Sequence, residues 1–121
     1  MRYEHIWYTT KDQSLTIEFL MLHLGGTKGW RAYILTDINY KRVSTSRSTG
    51  WHDTHRFFES STERYIDVSK SYPYVCWEPA IQELDVLKNV AAVWCEITAY
   101  YIRHGGTFPA IQQKLADQGV I

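Results

Sequence analysis

The chain has 121 residues, 45% of them hydrophobic and 21% charged, and its 13 Lys and Arg balance 13 Asp and Glu. That is one domain's worth of chain, too apolar and too evenly charged for a disordered segment. Two cysteines do not make a disulfide scaffold, and the near-neutral balance argues against a dedicated nucleic-acid binder.

The longest purely apolar run, Val90 to Cys95, is far too short to cross a bilayer. No apolar stretch follows Met1-Arg2-Tyr3-Glu4-His5, so no signal peptide is expected. The expectation is a soluble, cytoplasmic domain without a membrane partner. Charge is unevenly spread. Residues 1–27 sum to −1, residues 28–56 to +4 (six basic against Asp37 and Asp53), and residues 57–121 to −3. A basic middle segment leaves room for an anionic partner on one face.

The first extended segment is Tyr3 to Thr9, rich in Tyr, Trp and Ile. Lys11 to Ser14 is polar and turns the chain. Leu15 to Leu24 is a second strand, with Leu15, Ile17, Phe19 and Met21 on one face and Thr16 and Glu18 on the other. Its far end is apolar on both faces, through Leu20, Leu22 and Leu24. Gly25-Gly26-Thr27-Lys28-Gly29 is a hairpin loop, so the strand that follows runs antiparallel. That strand, Trp30 to Ile38, alternates Trp30, Ala32, Ile34, Thr36 and Ile38 against Arg31, Tyr33, Leu35 and Asp37. Lys41 to Gly50 is the most polar stretch, a loop or a solvent-facing edge. Thr54 to Phe58 is a candidate third strand, and Ser60 to Ser71 is turn-like. Tyr72 to Trp77 has strand composition, with Pro73 suited to its start or to an edge.

Glu78-Pro79 ends the sheet, and the periodicity changes. From Leu84 to His104 there is no Gly or Pro, and Leu87, Ala91, Trp94, Thr98 and Tyr101 recur at helical spacing. The opposite face carries Asp85, Lys88, Asn89, Ala92, Glu96, Ala99 and Arg103. Acidic residues open this helix, basic residues close it, and Gly105-Gly106 stops it. A short helix from about Pro109 to Asp117 follows. Strands first and helices last give an α+β fold: an antiparallel sheet of four or five strands under one long helix and a short tail helix, all in a single domain over residues 1–121. Trp94 is expected against the sheet. The helix stripe is wide, and the sheet, the tail helix or a second copy in a homodimer are candidates to cover it.

Few residues point to chemistry. His52-Asp53-Thr54-His55 lacks the spacing of a zincin site. On a strand, Asp53 and His55 would share a face as half of a hydrolase triad, with Ser44, Ser46, Ser48 or Cys76 as nucleophile. No nucleophile elbow surrounds any of these. Cys76 and Cys95 lie among apolar neighbours, where cysteine packs as a small hydrophobe. The glycine loop lacks the Gly-Lys-Ser/Thr and helix of a phosphate loop. No cofactor and no metal are expected.

The aromatic content, 5 Trp, 9 Tyr and 4 Phe, suits a core or a protein interface. The candidate binding residues are Arg31, Tyr33, Tyr40, Lys41, Arg42, Arg47, His55 and Arg56. They would bind either a protein or, as the alternative, nucleic acid through segment 28–56.

Trp30-Arg31-x-Tyr33, Asp37-Ile38-x-Tyr40, Thr54-His55-Arg56, Tyr72-x-Tyr74-x-Cys76-Trp77 and Tyr101-Ile102-Arg103-x-Gly105-Gly106 together span about residues 28–106. This string resembles short bacterial proteins of mobile elements and prophages. The resemblance carries no activity and no site residues. It implies an accessory or regulatory protein, such as a phage-encoded inhibitor of a host system.

Overall fold

The structure, a computed structural model, describes residues 2–38, 40, 55–58, 72–75 and 77–121. Five antiparallel strands are followed by two helices: β1 (Tyr3–Thr9), β2 (Thr16–His23), β3 (Trp30–Ile34), β4 (Arg56–Phe58), β5 (Pro73–Val75), α1 (Leu84–His104) and α2 (Phe108–Asp117). The sheet order is β1-β2-β3-β5-β4, so β5 pairs between its two predecessors. The α+β reading holds, with strands first and helices last. The sections expected at Lys41 to Gly50 and Ser60 to Ser71 lie outside the described residues, as do His52, Asp53, Thr54 and Cys76.

The period-two pattern decides which face of the sheet is core. Ile17, Phe19 and Met21 of β2 and Ala32 and Ile34 of β3 are buried on the face under α1. Trp30, Val75 and Ile81 join them. From α1 come Leu87, Ala91, Trp94 and Tyr101 of the stripe expected from helical spacing, and Cys95 beside it. Trp94 meets Phe19 edge-on at 6.3 Å between ring centroids, so the helix faces the sheet as anticipated. Tyr101 packs edge-on against Tyr40 at 6.2 Å and against Phe108 of α2 at 5.5 Å. Tyr100 lies half-buried beside His104, and Lys114 of α2 reaches over its ring at 5.4 Å. The wide helix stripe is therefore used inside the fold, by sheet and tail helix together.

Local chemistry sets the element ends. The β2–β3 hairpin closes through Leu24 N–H to the Gly29 carbonyl at 2.8 Å. β3 stops at Ile34, short of the expected Ile38, although Leu35 N–H still reaches the Glu18 carbonyl at 2.9 Å. There the Thr36 hydroxyl accepts from the Glu18 N–H at 2.8 Å, replacing a backbone carbonyl with a side-chain oxygen and releasing the strand from the ladder. Pro73, which has no N–H to give, begins β5. α1 ends where Gly105 takes a φ of 75° and donates to the Tyr101 carbonyl at 2.8 Å. The Thr107 hydroxyl caps α2 by accepting from Ala110 N–H at 3.4 Å, with Pro109 in the first turn.

Candidate interaction surfaces

Among the described residues, the sequence-predicted binding residues do not share one surface. Partners in an antiparallel register share a face, and Tyr33 is paired with Leu20 and Tyr74 on the side away from α1. There the Arg31 guanidinium lies 4.0 Å above the Tyr74 ring centroid and donates to the Tyr33 hydroxyl at 3.4 Å. Tyr33 itself is fully buried. Arg56 is paired with Val75 on the opposite, α1-facing side. Its guanidinium stacks 4.8 Å from the Tyr40 ring, and both side chains are buried. His55 is in a turn with φ 51° just before β4, and its ring is 5.0 Å from that of Phe108. The strand expected from Thr54 begins at Arg56. Lys41, Arg42 and Arg47 lie outside the described residues.

Arg31 does reach solvent-accessible space. It lines a cleft of about 240 Å³ with Lys28, Tyr74, Trp77 and Glu78, where β3 parts from the chain after β5. Ile81 rather than β5 receives the Trp30 N–H, at 2.7 Å, and this holds the cleft open. Gln82 fixes the glycine loop from the other side by donating to the Thr27 carbonyl at 2.9 Å.

A second cleft of about 240 Å³ lies between the β1–β2 turn, α1 and the C-terminal tail. Helical spacing assigns Glu96 to the solvent face of α1, yet it is buried, because β1 and its turn close over it. The Glu96 carboxylate accepts from the Tyr8 hydroxyl at 2.5 Å and from the Lys11 N–H at 3.1 Å. Burial, then the Glu96 hydrogen bond and charge, push the Tyr8 phenol above its ordinary range, so it stays a neutral donor. Burial, and then the Glu96 charge, likewise push the Cys95 thiol up, leaving it a protonated packing group. Lys11 also donates from Nζ to the Val120 carbonyl, tying the tail to the turn.

Asp12, at the rim, has the opposite balance. Burial raises its pKa, but donation from the Ser14 N–H, the Ser14 hydroxyl and the Thr10 hydroxyl, with Arg103 at 3.1 Å, outweighs this and holds it at about 2. A depressed carboxylate supports the fold above its ordinary pKa of 3.8 and loses that support as pH falls through about 2. Asp12→Asn should therefore lower the urea midpoint at pH 7 and flatten the acid limb between pH 4 and 2. An unchanged acid limb would show that the turn does not depend on this charge.

The third surface is β1 itself. It forms one edge of the described sheet. Tyr3, His5, Trp7 and Thr9 alternate onto the face away from α1, and all four are exposed, Tyr3 at 64% and Trp7 at 63%. Tyr3 and His5 meet edge-on at 6.1 Å. The same four residues carry the backbone groups that no described strand pairs. His23 N–H donates to the Arg2 carbonyl and Thr10 N–H to the Leu15 carbonyl, both at 2.9 Å, which fixes the parity of the β1–β2 ladder. Even-numbered residues of β1 bond inward to β2, and odd-numbered residues aim N–H and C=O outward. Edge strands are ordinarily blunted by Lys, Pro or a bulge. β1 has neither residue, and its register with β2 runs unbroken from Tyr3 to Thr9.

Among the described residues, no helix is long and apolar enough to cross a membrane. Comparison with known proteins adds no relative from which a role could be carried over: no family model, no curated protein and no solved structure matches this chain.

Proposed function

We propose that this chain is a non-enzymatic binding protein that works through protein–protein contacts, with the open edge of β1 as its working surface. One observation carries the reading: the residues with outward backbone groups are the same residues that expose Tyr3 and Trp7. Two large aromatics at a strand edge offer stacking area, and the backbone beside them offers a row of donors and acceptors. An extended protein segment meets both demands at once. The role of a mobile-element or phage regulator acting on a host protein fits a small domain with such an edge, and rests on the sequence resemblance.

The nucleic-acid alternative has one observation in its favour, the cleft where Lys28 and Arg31 lie beside Tyr74 and Trp77. Aromatic rings next to cations suit a stacked base and its phosphate. The bound material distinguishes the two readings.

The test is capture from bacterial lysate by immobilised chain, with and without nuclease. Trp and Tyr anchors typically contribute at least about 2 kcal/mol to an interface, roughly thirtyfold in affinity. Trp7→Ala combined with Tyr3→Ala should therefore reduce capture at least tenfold, while nuclease changes nothing. Capture that survives the double variant and disappears with nuclease would replace this reading with the nucleic-acid one.

A further inference from the structure

We infer that β1 pairs with β1 of a second copy, antiparallel and centred on Ile6, joining two five-stranded sheets into one; the inference rests on the protein-binding reading and names the partner.

The outward N–H and C=O groups of Tyr3, His5, Trp7 and Thr9 can be satisfied in a regular way only by another strand. In an antiparallel self-pairing, outward residues must face outward residues, so odd positions face odd positions. The pairing is then centred on a residue. Centring on Ile6 engages all seven residues of β1: Tyr3 faces Thr9, Glu4 faces Tyr8, His5 faces Trp7, and Ile6 faces its own copy. Centring on Glu4, His5 or Trp7 shortens the ladder, and centring on Glu4 sets two carboxylates against each other.

Charge rules out the register centred on Glu4 and permits the one centred on Ile6. Glu4 is the only carboxylate in β1, and Lys88 of α1 already holds it at 3.1 Å. About Ile6 it meets a neutral Tyr8 phenol, so no like charges face across the junction. On the outer face His5 stacks with Trp7 of the other copy, twice by symmetry, an aromatic cross-strand pair of the favoured kind. On the α1 side the half-buried Ile6 side chains meet and extend the core across the junction. The contact is isologous and closed, so pairing through this edge stops at two copies.

The geometry gives a sharp test. Even-numbered residues of β1 bond inward, so Ile6 and its copy form a non-hydrogen-bonded pair with Cα atoms about 4.5 Å apart. That separation lies within the range a disulfide spans, roughly 4.4–6.8 Å. Under mild oxidation Ile6→Cys should form a disulfide-linked dimer at least tenfold faster than the wild type and than His5→Cys, whose sulfur would lie diagonal to its copy. In light scattering the wild-type chain, 14.2 kDa, should give about twice that mass. Trp7→Lys, which blunts the edge and leaves every inward hydrogen bond in place, should return it to one chain. Faster cross-linking of His5→Cys would overturn the register. A mass of one chain up to about 1 mM, with Ile6→Cys no faster than the wild type, would overturn self-pairing altogether. The two proposals fail separately. If the chain stays single while Trp7→Lys loses a captured protein, self-pairing falls and the binding reading stands. If the dimer forms and nothing else is captured, the edge binds its own copy and the role on a host protein falls.

Discussion

Trp94→Ala is expected to cost the fold about 3–5 kcal/mol, the range for deleting a buried large aromatic. The indole is 4% exposed, stands edge-on to Phe19, and shares the core with Ala91, Leu87 and the β2 side chains. Truncation removes its transfer free energy and leaves a cavity between a sheet and a helix, two rigid layers that collapse only partly. Against a typical total of about 5–15 kcal/mol, the loss leaves little reserve. Urea titration of the variant reads it directly. Trp77→Ala is the control, because that indole is half exposed and its loss should change stability by about 0.5 kcal/mol or less. A cost for Trp94→Ala below about 1 kcal/mol would mean that α1 turns another face to the sheet.

Gly29→Ala should be nearly as damaging, for a backbone reason. Gly29 has φ 76° and ψ −157°, a region open essentially to glycine alone. A Cβ built there would also overlap the Ile81 carbonyl. Strain of about 1–3 kcal/mol and overpacking of similar size act together. The expected loss is about 2–6 kcal/mol, with the Trp30–Ile81 hydrogen bond the first to lengthen. Gly26→Ala separates the two causes. Gly26 also has positive φ, 53°, but nothing lies within 4 Å of a Cβ there, so only the conformational penalty of about 1–2 kcal/mol remains. Equal losses at the two sites would show that the contact with Ile81 contributes nothing.

The legible parts of the fold were those written in local periodicity. Ile17, Phe19 and Met21 alternate, Leu87, Ala91, Trp94 and Tyr101 recur at helical spacing, and both patterns mark the faces that meet. Sheet order was not legible, because the placement of β5 between β3 and β4 depends on pairings between distant segments. The Tyr8–Glu96 hydrogen bond joins residues 88 positions apart, and Glu96 looks like a solvent residue until β1 covers it. The described members of the proposed binding cluster divided because the period of two fixes faces within one strand, and the face that β4 and Tyr40 take relative to β3 depends on pairings between distant segments. Arg31 and Tyr33 went to one face, and Arg56 and Tyr40 to the other. β1 was recognised as a strand, but both of its faces carry aromatics, Tyr3 and Trp7 on one and Tyr8 on the other. Composition therefore could not say which face is covered. Only its position at the edge of the sheet, with no neighbour beyond it among the described residues, identifies the surface.

Amide hydrogen exchange along β1 tests the account most directly, because adjacent residues report different hydrogen-bond partners. The amides of Glu4, Ile6 and Tyr8 should exchange slowly at every concentration, since β2 holds them. The amides of Tyr3, His5, Trp7 and Thr9 should exchange quickly in dilute solution and become protected as the edge is filled, by a second copy at high concentration or by a captured protein. Protection rising on the odd-numbered amides alone is the predicted result. Odd-numbered amides that are slow in dilute solution, or that stay fast with material bound, would contradict the claim that this edge is the binding surface.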